Sequence, residues 1–229
     1  VLFGTCRVFL RSGTLRVTVK TGLYGGSFDP VHFGHLIAAQ EVYEHFGLDR
    51  VIFIPAAQSP LKQDAVHASA ADRLAMVQAA IEDDPRFAVS DIELRRGGLS
   101  YTLDTVRELQ AQHPGDTFYW IVGGDQAARL PQWHAIEQLA AAVEFIAVDR
   151  PSGTPITPPP PRLPHSSPPV PGLRVHRLES RLIDISSTEL RERARRGLPL
   201  QYFIPHKALV YLKAHCLYRE KPSPHATAR

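Results

Sequence analysis

The chain is poor in cysteine. Its 229 residues carry two, Cys6 and Cys216, near opposite ends and in no CxxC pair or metal-spaced set. A disulfide framework is therefore not expected, and a reducing, cytoplasmic compartment is. Charge of one sign is scarce too: the formal net charge is +3, spread along the chain, with eleven histidines able to add to it as pH falls. So small an excess suits a phosphate-bearing small molecule rather than nucleic acid, which would call for a clustered basic face. Long apolar runs are absent as well. In "VLFGTCRVFLRSGTLRVTVK" Arg7, Arg11 and Arg16 interrupt the apolar residues and no small-residue cleavage site follows, so neither a signal peptide nor a membrane span is expected.

What is present is a 44% hydrophobic chain, enough for one full core. Residues 1–15 are read as a leader without ordered structure or function, 16–218 as one domain, and 219–229 as a tail. "LRVTVKTGLYGG" reads as a strand, "HLIAAQEVYEHFG" as a helix stopped by Gly47, and "RVIFIP" as a buried strand. The alternation continues through a helix at "SAADRLAMVQAAIEDD", an extended "RFAVSDIEL", a helix at "YTLDTVRELQAQH" and a strand at "TFYWIVGG". "AIEQLAAA" then reads as a helix, "VEFIAVDRP" and "LRVHRLES" as strands, and "ISSTELRERARRG" and "PHKALVYLKAHCLY" as helices. Such alternation predicts the α/β class, a doubly wound, Rossmann-like parallel sheet with helices on both faces. Within it, 151–172 holds ten of the chain's twenty prolines and is read as an inserted surface excursion, since that density forbids helix or interior strand.

In open α/β sheets ligands gather beyond the carboxyl ends of the strands. The turn after the first strand, "YGGSFDPVHFGH", is accordingly the first candidate. Gly25 and Gly26 permit close approach of backbone to a ligand, and Gly34 and His35 sit where a helix begins and its free N–H groups favour an anion. The turn has neither the GxGxxG spacing of dinucleotide folds nor the GK[ST] ending of a P-loop. His32 and His35 have no third ligand at a companion spacing, so contact with phosphate is favoured over a metal, and no protein-held metal is expected. A second anion site is read at "ISSTELR", where Ser186 and Glu189 form a capping-box pattern, Ser187 and Thr188 add donors, and Arg191 lies one turn inside.

Together, "GGSFDPVHFGHL" and "ISSTELR" resemble the HxGH and ISSTxxR motifs of the nucleotidyltransferase superfamily. Between them "SYTLDTV", "WIVGGDQ", "LPQWH" and "DRP" resemble the bacterial nicotinate-nucleotide adenylyltransferases in the same order. The resemblance implies adenylyl transfer from ATP to nicotinate mononucleotide, giving deamido-NAD and pyrophosphate, with Mg²⁺ accompanying ATP. It implies that Gly25, Ser27 and Phe28 line the ATP site, that His32 and His35 contact its phosphates, and that Ser186, Ser187 and Arg191 hold the triphosphate from the opposite side. Lys62 in "SPLK" matches a further basic position. Gly123 and Asp125 fall where a ribose would be held, although Asp125 also suits a helix N-cap. Tyr101, Thr102 and Trp133 match the pyridine-nucleotide pocket, with Trp133 offering a flat face to the ring or a place in the core. The alternatives are transfer to nicotinamide mononucleotide or phosphopantetheine, or a nucleotide-binding module without turnover; a homo-oligomer is left open.

Overall fold

Alternate residues of the central strands serve two different cores, and this is what makes a sheet covered on both faces. On one face lie Val51, Phe53, Ile121, Ile146 and Val148. On the other lie Leu23, Ile52, Ile54, Trp120, Val122, Phe145 and Ala147. The computed structural model describes residues 18–57, 67–149, 170–181 and 183–219. The expected leader 1–15, Lys62, nearly all of the proline-rich insertion and the tail beyond 219 lie outside the described residues.

In chain order the elements are β1 (Lys20–Gly26), α1 (Phe33–Phe46), β2 (Arg50–Pro55), α2 (Ala70–Ile81), β3 (Phe87–Val89), α3 (Ile92–Arg96), α4 (Thr102–Gln112) and β4 (Thr117–Gly123). They continue with α5 (Gly124–Ala127), a 3-10 turn (Leu130–Gln132), α6 (Ile136–Ala142), β5 (Glu144–Asp149), β6 (Val175–Glu179), α7 (Ser187–Arg195) and α8 (His206–Ala214). The strands run in the order β3-β2-β1-β4-β5-β6, every pair parallel. Successive strands step outward from β1 one way, and the chain then returns to β4 on its other side. The switch between β1 and β4 opens a crevice beyond their carboxyl ends.

Gly47 ends α1 in the left-handed conformation, φ 57°, its N–H bonded to Tyr43 O, as its position in the sequence suggests. Two expectations are corrected. The first strand begins at Lys20, and "RFAVSDIEL" is not one extended segment. After Val89 the Ser90 hydroxyl accepts the Ile92 N–H at 3.4 Å, and the Asp91 carbonyl accepts the Arg95 N–H at 2.9 Å. These local bonds turn the chain into α3, and Glu93 is carried from an expected strand into the interior.

Candidate active site

The histidine pair replaces the usual side chains of a capping box. His32 is the N-cap of α1, extended at φ −150°, and His35 is the third residue inside. The His32 N–H donates to His35 Nδ1 at 3.3 Å, and the His35 N–H reaches back to the His32 side chain. The rings stack with centroids 3.7 Å apart. Because Nδ1 of His35 accepts, the proton of the neutral ring sits on Nε2, which is thereby a donor. The glycine between them has a steric reason: a Cβ on Gly34 would stand 3.0 Å from the His32 ring. The spacing is thus a means of laying one imidazole over the first helical turn.

Ser186 caps α7, its hydroxyl accepting the Glu189 N–H at 3.2 Å, so this side chain is occupied by the helix itself. Ser187 Oγ donates to Pro30 O at 3.0 Å. Arg191 Nη1 donates to Asp29 O at 2.8 Å and Nη2 to Thr188 Oγ1 at 3.2 Å. The amino ends of α1 and α7, more than 150 residues apart in sequence, therefore meet on one turn. Phe28, expected to line the site, is 1% exposed and reaches it through an edge contact with the His35 ring, centroids 5.1 Å apart.

Beside this turn a cavity of about 430 Å³ opens beyond β1 and β4. Gly25, Ser27, Tyr101, Thr102, Gly123 and Trp133 are all in its wall. Gly25 is required there, since a Cβ would come within 2.6 Å of the Trp120 indole, which also faces the cavity. Asp125 lies inside α5 rather than at its cap, which is Gly123. Its carboxylate folds back over Gly123 and accepts Gln126 Nε2 at 2.9 Å. At the amino end of α4 the Asp104 and Thr105 N–H groups bond Tyr101 O, and no side chain caps the helix. The Tyr101 and His134 rings lie 4.4 Å apart. Trp133 stands edge-on to Phe145 at 6.2 Å; its Nε1 is buried with no hydrogen-bond partner among the described residues.

Sequence reasoning missed Glu93, Ser100 and Gln126, all in the cavity wall. Glu93 is 4% exposed. Burial pushes its carboxyl above the usual carboxylate range, opposed by the Thr105 and Ser100 hydroxyls and by Arg96. Thr105 Oγ1 donates to it at 2.8 Å and itself accepts from Arg96 at 2.7 Å. A single acidic residue in an alternating segment gave no signal for this; the neighbouring "QWH" did mark His134.

Residues 23–193 match the cytidylyltransferase-like family. Over 201 residues the chain is 53% identical to a probable nicotinate-nucleotide adenylyltransferase of Opitutus terrae, covering 88% of this chain and 98% of that protein. A protein of the same description from Geobacillus kaustophilus is 39% identical over 87% of this chain and 86% of its own. Among solved structures, the Plasmodium falciparum nicotinic acid mononucleotide adenylyltransferase complexed with NaAD superposes with a TM-score of 0.67 at 17% identity, covering 87% and 97% of the two chains. That likeness concerns the fold. No helix among the described residues is long and apolar enough to cross a membrane.

Proposed function

The chain belongs to the nicotinate-nucleotide adenylyltransferases within the cytidylyltransferase-like family, and from that premise we propose that it transfers the adenylyl group of ATP to nicotinate mononucleotide, releasing pyrophosphate. The observation that carries this reading is the joining of two anion-binding helix ends on the Asp29–Pro30 turn, through Arg191 and Ser187, beside a cavity walled by Trp133 and the start of α4.

In this mechanism an oxygen of the mononucleotide 5′-phosphate bonds to the α-phosphorus of ATP while the bond from that phosphorus to the β-bridging oxygen breaks. The attacking phosphate is already anionic, so no side chain has to act as base. Catalysis is then positioning and stabilisation of charge on the transferring group and the leaving pyrophosphate. His35 offers Nε2–H, fixed by the bond its Nδ1 accepts, and His32 lies stacked against it. Arg191 engages two of its five donors within the protein, leaving the others for phosphate oxygens together with the Ser187 backbone N–H at the start of α7, its hydroxyl proton being held by Pro30 O. Lys62, which lies outside the described residues, is proposed as a further cation for the same charge. Ser186 would contribute through its backbone and Phe28 through its support of His35. Gly25, Ser27 and Gly123 would admit the nucleotide closely, with Asp125 accepting from ribose hydroxyls.

The donors at both helix ends are imidazole, hydroxyl and guanidinium, which suit an anion rather than a cation. Mg²⁺ would accordingly come in on the triphosphate with its own waters and neutralise phosphate charge there. Trp133 gives the pyridine ring a flat face. The uncapped start of α4 at Tyr101 and Thr102 favours the carboxylate of nicotinate over the amide of nicotinamide. We place the reaction in the cytoplasm, where thiols stay reduced.

The test is pyrophosphate release from Mg·ATP with nicotinate mononucleotide, nicotinamide mononucleotide and phosphopantetheine in turn. The expected result is turnover led by the nicotinate form. Equal use of the acid and the amide would sink the carboxylate argument, and release with phosphopantetheine alone would sink the assignment.

A further inference from the structure

The Asp29 side chain takes no part in the mechanism above, yet it is 3% exposed and heavily bonded. Its carboxylate accepts the His67 N–H at 2.9 Å and the Ala68 N–H at 3.1 Å, just before α2. A third donor is the Tyr218 hydroxyl at 2.6 Å, from 189 residues away. Arg73, 1% exposed, stands alongside and donates to Ser27 O at 2.8 Å. The backbone of the same two residues, Asp29 and Pro30, receives Arg191 and Ser187.

The two chain segments joined by the Tyr218–Asp29 bond are both in unusual backbone conformations. Phe28 has φ 48° and Tyr218 φ 62°, the left-handed region that a residue with a Cβ occupies only where its surroundings fix it. Tyr218 follows the turn that closes α8, where Leu217 N–H bonds Leu212 O at 3.1 Å and Cys216, φ 51°, takes the place glycine usually holds. α8 is itself fixed to α2 by the Tyr211 hydroxyl on Asp72, at 3.0 Å. Burial raises the Tyr218 hydroxyl far above the ordinary range, and its bond to Asp29 raises it further, so it stays a donor.

We infer that Tyr218 is a positioning residue for the triphosphate: by holding the Asp29 carboxylate it fixes the turn whose carbonyls aim Arg191 and Ser187. The inference rests on the proposed function for the identity of the anion, and on geometry for everything else. Of the residues bonded here only Ser27, which accepts from Arg73, is in the cavity wall; the Trp133 and α4 side, where the mononucleotide is placed, draws on none of the bonds to Asp29.

The test is titration calorimetry of the full chain with the α,β-methylene analogue of Mg·ATP and, separately, with nicotinate mononucleotide. Tyr218→Phe removes one hydroxyl and keeps the ring. It should weaken the ATP analogue about tenfold, the order expected for a hydrogen bond to a charged group, and leave the mononucleotide unchanged. In an Arg191→Ala background the same substitution should cost clearly less than in the parent, since Tyr218 acts through the carbonyl that holds Arg191 and only the Ser187 bond to Pro30 O is left for it to steady. Equal weakening of both ligands, additive losses in the double variant, or no change in either would overturn the inference. A parent that binds the analogue but fails the pyrophosphate assay would refute the proposed reaction while the Tyr218 comparison still decides this point. A parent that does not bind the analogue overturns both.

Discussion

Along the Asp29–Pro30 turn, His32, His35, Ser187 and Arg191 are each held by a hydrogen bond to backbone or to one another. Across the cavity, Tyr101, His134 and Trp133 meet their neighbours through ring contacts, and a buried indole N–H is left open among the described residues. The first region is built like a device that must not reorganise while charge develops. The second is built like a seat of ring faces. Preorganised donors act on the barrier, whereas a seat of aromatic faces acts on binding. The contrast predicts that substitutions in the two regions will register in different kinetic constants.

The largest effect should come from His35→Ala. Loss of a fixed donor to a transferring phosphoryl group should lower kcat about a hundredfold or more, with the dissociation constant of ATP changed far less. Steady-state rates alongside equilibrium nucleotide binding would check this; turnover within a few-fold of the parent would make the histidine pair a helix cap and nothing else. Trp133→Ala should be milder and should appear in the other constant. Loss of a stacking face is worth about 1–3 kcal/mol, so kcat/KM should fall roughly tenfold or somewhat more for nicotinate and nicotinamide mononucleotides alike, their ratio preserved. A changed ratio would mean that the indole reads the carboxylate and would blur the division between seat and selector.

The smallest effect concerns Glu93 in the cavity wall. Its folded-state pKa lies above the ordinary 4.5 because it is buried. The stability linked to its protonation is therefore fully present below 4.5 and is lost as pH rises through the raised value. Glutamine cannot ionise and still accepts from Thr105. Glu93→Gln should thus melt near the parent in acid and increasingly above it toward neutrality, by about 2–4 °C for each kcal/mol recovered in a chain of this size. Parallel melting curves across that range would mean the carboxylate is charged without penalty.

The firmly bonded region was also the more legible one. "HFGH" and "SSTELR" are contiguous stretches whose spacing follows from the helical turn, so sequence alone located both helix starts. The alternating apolar runs foretold the parallel strands equally well. What pulls the two ends together was not legible, because Arg191 and Ser187 bond backbone carbonyls, and any residue type provides a carbonyl. Glu93 escaped for a different reason: two local bonds at Ser90 and Asp91 overrode an alternating pattern that read as strand. Gly34 was noticed for its place at a helix start, while the constraint that applies is the imidazole lying over it.

The chain has two tryptophans, and Trp120 and Trp133 both stand in the cavity wall. All of the protein's indole emission therefore originates in the wall of the cavity proposed to seat the pyridine ring, with no silent tryptophan elsewhere to dilute it. The fold has in effect wired its ultraviolet fluorescence to that one chamber, and occupancy can be followed by light on the unlabelled protein.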